Sequence, residues 1–355
     1  MTILDFKTKN EKELSLPIVN KILETMREGV IVVGPNTRVL TANTAAIKAF
    51  SKDSGALDNK RLSEVIRDLE LHEAFRKALE SDVSSDTKLE IPGREKLKYD
   101  VHVAPIEIDN MKSAVGVFYD ITKIERLENI RQEFLSNISH ELRTPLTSIL
   151  AFVETLEDGA IEDKQNNQRF LSVIRKNAER MHHLIDDILE LSSIESGKIR
   201  IETNLVSLAP QVEEAFTNLS AKANERSIKL INEVGPDIRV LADVMRLGQM
   251  LTNFIDNAIK FNRSGGAVFV SHEATETSDI ISVTDTGEGI SIEHRQRIFE
   301  RFYRPDRARS REIGGTGLGL AIVKHLARLH GGEVSLVSEV GEGTTFSIKL
   351  PRKTQ

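Results

Sequence analysis

The stretch "SNISHELRTPLTSIL", residues 136–150, places a histidine, an acid, an arginine, a threonine and a proline where the apolar positions repeat at helical intervals. Leu135, Ile138, Leu142, Leu146, Ile149, Val153 and Leu156 follow one another in steps of three and four, the pattern of one buried helical stripe. Ile124, Leu127 and Ile130 extend it upstream. After the turn "LEDGAIEDKQNN", a second stripe runs through Leu171, Ile174, Ala178, Met181, Ile185, Ile188, Leu191 and Ile194. Two long helices on a short link predict an antiparallel hairpin. One hairpin leaves its stripe exposed, so a homodimer pairing two of them into a four-helix bundle is the economical way to bury it.

At ~100° per residue, His140 lies about 200° from Ile138 and about 160° from Leu142, on the side away from the stripe and facing water. Glu141 flanks it, and Thr144, one turn on, shares its face. A lone surface histidine ordinarily has no task. Pro145 argues otherwise, because it removes a backbone hydrogen bond to residue 141 and bends the helix beside the histidine. A proline in a helix interior costs roughly 3 kcal/mol, which calls for a function.

Composition narrows the alternatives. A chain of 355 residues accommodates two or three domains, and 39% hydrophobic with 29% charged residues describes a globular protein. The net charge of −6 supplies no basic surplus for a phosphate backbone, so nucleic acid is not an expected partner. With no cysteine there is neither a disulfide nor a thiolate metal site, in keeping with a reducing compartment. No apolar run approaches the ~20 residues of a spanning helix. The reading is therefore a cytoplasmic chain, soluble as given, or the cytoplasmic part of a longer membrane protein.

Around the hairpin, residues 14–120 mix short β-rich runs such as "GVIVVG" and "KLKYDVHVAPIEI" with short helices, which predicts a small antiparallel α+β domain. Residues beyond 200 alternate strands and helices and hold most of the glycine clusters. Four segments stand out there: "NFIDNAIKF" with Asn253 and Asn257 one turn apart, "DTGEGI" from Asp285, "RIFERFYRPD", and "GGTGLGLAIVKHLARLHGG". In the last, Gly315, Gly317 and Gly319 run into a helix, whose free amides can cradle phosphate. The spacing is neither a Rossmann fingerprint nor a P-loop. Taken singly, the asparagines could be solvated helix residues and "DTGEGI" a turn.

Together, "FLSNISHELRTPLTSI" and these four segments resemble the sensor histidine kinases of two-component systems. The resemblance implies a multidomain α+β protein: an N-terminal segment (1–13), a PAS-like sensor domain (14–120), a dimerisation and phosphoacceptor hairpin (121–200) and an α/β-sandwich, Bergerat-type ATP-binding domain (201–355). It implies His140 as nucleophile, Glu141 as general base, and Thr144 in orienting water for dephosphorylation of the partner. It assigns Asn257 to magnesium, Lys260 and Arg304 to the phosphates, and Asp285 with Gly287 and Gly289 to adenine. Asn253, Gly315, Thr316, Gly317, Leu318 and Gly319 complete the nucleotide site, and Phe299 and Phe302 resemble the aromatic box beside the lid. ATP and Mg2+ are the implied cofactors. A second copy and the receiver domain of a response regulator are the implied partners, with a small-molecule ligand of the PAS-like domain left open.

The same superfamily includes type II topoisomerase ATPase subunits and Hsp90-like chaperones. Its hydrolytic members carry a glutamate where Asn253 stands, and an amide cannot act as a base. The rival classes are an ATP hydrolase and a non-catalytic scaffold. Phe261 and Asn262 depart from the family's usual tyrosine and small hydroxyl residue, which puts a polar nucleotide contact from that corner in doubt. "VGVFYDIT" and the asparagine Asn43 opening a short helix carry the PAS resemblance.

Overall fold

The computed structural model describes residues 21–51, 55–93, 96–163, 165–305 and 315–352, so the expected N-terminal segment 1–13 lies outside the described residues. The chain forms two compact units, one ending at Gln132 and one beginning at Glu133.

In the first unit, β1 (Gly29–Val33), β2 (Val39–Ala42), β3 (Ser85–Ile91), β4 (Leu97–Ile108) and β5 (Met111–Asp120) make one antiparallel sheet of order β2-β1-β5-β4-β3. The "GVIVV" run is buried along its whole length because β1 is flanked by β2 and β5. Asn43, itself buried, caps α1 (Thr44–Phe50) by accepting from the amide of Ala46 at 3.0 Å, and takes the amide of Val30 at 2.9 Å. Phe50, Tyr99 and Phe118 meet with ring centroids 4.9–6.5 Å apart. The amphipathic α3 (Leu69–Ser81), which follows the short α2 (Leu62–Val65), lays Phe75 over Gly116.

A methyl group on Gly116 would come within 2.5 Å of the Phe75 ring. Gly116→Ala is therefore expected to destabilise this unit by about 1–2 kcal/mol through overpacking, measured as a lowered urea midpoint. An unchanged midpoint would mean the Phe75 ring can turn aside freely.

The sheet also holds the start of the long helix α4 (Thr122–Thr155). Asp120 accepts from the amide of Thr122 at 2.9 Å, the Thr122 hydroxyl accepts from the amide of Lys98 at 2.9 Å, and Glu125 ion-pairs with Lys98 at 2.5 Å and with Lys88 at 3.4 Å.

In the second unit, α4 continues without a break through Pro145, which is buried, and ends in a π-turn at Leu156–Ala160. Gly159, at φ +106°, makes the reversal there. The return helix α5 spans Asn167–Glu195. The expected hairpin is thus observed, with a difference along its second stripe. Leu171 and Ile185 are exposed, whereas Leu191 and Ile194 are buried in the core of the domain that follows. A helix of this length has room for two partners, and the apolar period alone does not distinguish them.

That following domain has a mixed sheet of order β11-β12-β10-β9-β7, made of β7 (Lys229–Asn232), β9 (Ala267–Ala274), β10 (Ser278–Asp285), β11 (Glu333–Glu339) and β12 (Gly343–Pro351). A two-stranded sheet joins β6 (Asn204–Ser207) to β8 (Arg239–Ala242). Helices α6 (Leu208–Glu225), α7 (Val244–Lys260) and α9 (Gly319–Leu329) form the other layer of this α/β sandwich, and α8 (Ile292–Arg295) is a single turn. Phe254 of α7 stacks on Phe346 of β12 at 5.1 Å between centroids, tying the layers together.

Candidate functional site

The first wall of the site is α7. Its start is capped by Asp243, which accepts from the amide of Arg246 at 3.1 Å. Leu251, Phe254, Ile255, Ala258 and Ile259 are buried, which leaves Asn253, Asp256, Asn257 and Lys260 along the half-exposed side. Lys260, expected at the phosphates, meets Asp256 of its own helix at 2.5 Å, and Lys222 reaches the same carboxylate at 2.8 Å.

The second wall is the end of β10. Asp285 is buried and accepts from the amide of Gly287 at 2.8 Å. Burial pushes its carboxyl up to about 6, against the opposing pull of the Gly287 and Thr344 amides. Backbone crowds both glycines that follow. A methyl group on Gly287 would lie 2.5 Å from the Phe261 carbonyl oxygen, and one on Gly289, at φ +71°, would lie 1.9 Å from that of Glu339. Asn262, whose contribution was in doubt, is buried as a brace: it donates to the Ala267 carbonyl at 3.0 Å and accepts from Thr286 at 3.2 Å.

The third wall is the entry to α9. A methyl group on Gly319 would lie 2.8 Å from the side-chain oxygen of Asn253, so the first turn of α9 abuts α7. Thr316 accepts from the amide of Leu318 at 3.2 Å, Leu318 is fully buried, and Gly317 takes φ +77°. Among the described residues Gly315 has no close neighbour that a methyl group would meet. The amide of Phe302 donates to the Gly317 carbonyl at 2.9 Å, joining the two ends of the segment between them. Asp306 and Gly314, part of the quoted motifs, lie outside the described residues. Phe302 packs on Phe134 of α4 at 5.7 Å, and Phe299 meets Phe346 edge-on at 6.2 Å.

The hairpin approaches this site from α4 and α5. His140 is exposed, and the Thr144 hydroxyl donates to the His140 carbonyl at 3.2 Å. Glu141 does not reach for His140. Its carboxylate pairs with Arg180 of α5 at 3.1 Å and with Arg304 at 3.3 Å, so Arg304, expected at the triphosphate, here grips the residue beside the expected nucleophile.

On α5, Asp187 accepts from the Thr316 hydroxyl at 2.7 Å, and Glu190 pairs with Arg246 at 2.6 Å and accepts from Gln249. Glu195 pairs with Arg301 and lies 3.6 Å from His325. Burial pushes the Asp187 carboxyl above its ordinary range, opposed chiefly by the Thr316 hydrogen bond. Sequence reasoning passed over Arg180, Asp187, Glu190 and Asp256. The available signal for α5 was the interleaving of Leu184, Leu191 and Ile194 with Asp187 and Glu190 on one helical face, a mixed pattern unlike a solvated one.

Among the described residues no helix is long and apolar enough to cross a membrane. Residues 130–197 match the family described as the His Kinase A (phospho-acceptor) domain. Residues 242–354 match the histidine kinase-, DNA gyrase B- and HSP90-like ATPase family. The sensor histidine kinase WalK of Bacillus subtilis (strain 168) is 31% identical over 342 residues, covering 94% of this chain and 55% of that protein. The sensor protein SrrB of Staphylococcus aureus (strain N315) is 28% identical over 335 residues, covering 94% of this chain and 56% of that one. This chain thus spans about half the length of those relatives. Among solved structures, the histidine kinase ThkA, in a complex with the response regulator protein TrrA, shares the fold with a TM-score of 0.52 and 21% identity, over 94% of this chain and 98% of that chain. A helical hairpin that carries His140 in a phosphoacceptor match, followed by an α/β sandwich matched to the kinase-type ATPases, places the chain in the sensor histidine kinase family.

Proposed function

We propose that the chain is an ATP-dependent histidine autokinase that phosphorylates His140 and passes the phosphoryl group to an aspartate of a response regulator, and that it also assists removal of that phosphoryl group. One observation carries the reading: Glu141, the neighbour of His140, is bonded to Arg304 at 3.3 Å, so the acceptor helix and the lid of the nucleotide domain already meet within one unit.

The residues fit ATP and magnesium. Asn257 offers an amide oxygen as a hard ligand, the glycines at 287, 317 and 319 let neighbouring segments of the site approach more closely than a side chain would allow, and the start of α9 presents backbone amides to phosphate. Magnesium-bound ATP would supply the transferable phosphoryl group. On the protein's side, Asp285 accepts the adenine amino hydrogen, Arg304 and Lys260 balance phosphate charge, and Asn253 holds the first turn of α9. His140 Nε2 or Nδ1 would attack the γ-phosphorus as its bond to the bridging oxygen breaks and ADP leaves, and Glu141 would take the imidazole proton once Arg304 has left it. Thr144 turns its hydroxyl from the His140 carbonyl toward water in the dephosphorylating direction.

Leu135, Leu146, Leu150, Leu171, Ile185 and Leu189 remain exposed along the hairpin. A second copy would cover them, which supports the homodimer. The antiparallel sheet of order β2-β1-β5-β4-β3, with Asn43 opening α1, supports a PAS-like sensor for residues 14–120, with hairpin and ATP-binding domains over 121–200 and 201–355.

Incubating the full chain with magnesium and γ-labelled ATP tests the proposal. The label is expected to survive base and to be lost in acid, as a phosphoramidate is. Steady phosphate release without bound label would instead indicate a hydrolase.

A further inference from the structure

We propose that Asp187 is a specificity-determining residue that makes the nucleotide site distinguish ATP from ADP, because the hairpin's two carboxylates and the terminal phosphate of ATP are alternative ligands of the same groups. This rests on the proposed nucleotide site. Asp187 holds the Thr316 hydroxyl at 2.7 Å, at the point where the amides of Leu318 and Gly319 open α9. Glu141 holds Arg304 at 3.3 Å. Lys260 lies near enough to Asp187 to act on its charge. Two groups of the proposed nucleotide site, Arg304 and Thr316, therefore each meet a hairpin carboxylate, while Lys260 pairs with Asp256 of its own helix.

A carboxylate and a phosphate oxygen ask for the same partners and carry the same sign of charge. In this half-buried cleft their mutual repulsion is weakly screened. ADP ends before the disputed position and leaves both contacts in place. ATP reaches it and must displace them. Displacement gives Arg304 to the phosphate and leaves Glu141 with Arg180 as its remaining partner, so the exchange that admits ATP also loosens the base beside His140. Leu184, Leu191 and Ile194 pack α5 on the ATP-binding domain, a contact that ADP, on this proposal, leaves undisturbed.

The test measures the affinity of the full-length chain for ADP and for the β,γ-imido analogue of ATP, both with magnesium, by calorimetry. Asp187→Asn keeps an oxygen for Thr316, removes the charge and puts an NH2 donor in place of the second oxygen. It is expected to tighten the ATP analogue on the order of tenfold and to leave ADP within twofold. Asp187→Ala, which removes the acceptor as well, should favour the analogue at least as strongly. If both nucleotides bind the parent chain and neither variant changes their ratio, the inference is overturned while the kinase reading stands. If the parent chain binds neither nucleotide, the kinase reading fails first.

Discussion

His140→Gln is expected to carry no acid-labile phosphate after incubation with magnesium and γ-labelled ATP, down to the background of the assay. The lone pair of a glutamine amide nitrogen is delocalised into the carbonyl and does not attack phosphorus, and among the described residues no neighbouring side chain replaces it: Glu141 is committed to Arg180 and Arg304, and Thr144 to a backbone carbonyl. The substitution is mild in every other respect. His140 is exposed and glutamine is a good helix former, so stability should change by no more than about 0.5 kcal/mol. Nucleotide affinity should stay within twofold, because the groups proposed to hold ATP lie on α7, at the end of β10, at the entry to α9 and at Arg304, none of them on α4. The combination of lost label with intact binding, read by labelling and calorimetry on one preparation, separates a missing nucleophile from a damaged site. Label that persisted would move the acceptor to another residue and remove the meaning given to the hairpin.

Much of this arrangement was legible before any coordinates. The three-and-four spacing from Leu135 to Leu156 places His140 away from the stripe, and the structure exposes it. Several of the motif glycines are legible because they mark points where backbone meets backbone, as Gly287, Gly289 and Gly317 do. Side-chain partnerships were not legible. Arg304 and Glu141 are 163 residues apart, and Thr316 and Asp187 are 129 apart. An acid on a helix surface reads as solvated until the opposing element is known. For the same reason Leu191 and Ile194 read as part of one continuous bundle stripe, although the ATP-binding domain covers them. Periodicity gives the face of a helix and leaves its partner unspecified, so the hairpin was legible and its docking to the nucleotide domain was not.

Asp285 ties folding, proton binding and nucleotide recognition to one buried carboxyl. Its pKa stands at about 6 in the fold against the ordinary 3.8, with burial as the main cause. The folded state therefore holds a proton that the unfolded chain has lost. The stabilising contribution of that proton is fully present below about 3.8 and disappears as pH rises through about 6. At neutral pH the fold thus carries a buried charge that costs on the order of 3 kcal/mol. An adenine amino group donating to the carboxylate offsets part of that cost, so nucleotide binding favours the ionised form. ATP affinity should accordingly rise from pH 5 to pH 7 and level off above, and binding near pH 6 should release a proton. Calorimetry in two buffers of different ionisation enthalpy counts that proton. Asp285→Asn should lose affinity by about 100-fold at pH 7.5, since the amide offers a weaker, neutral acceptor and turns a competing donor into the pocket. It should also abolish the pH dependence and proton release. The same variant has no charge to bury, and its side-chain oxygen can still accept from Gly287, so its urea midpoint at pH 7.5 should equal or exceed that of the parent. Weaker binding in a chain no less stable is the signature of a group kept for its ligand at the expense of the fold. Affinity and pH profile both unchanged would take adenine recognition away from Asp285 and leave its carboxyl as a strained structural residue.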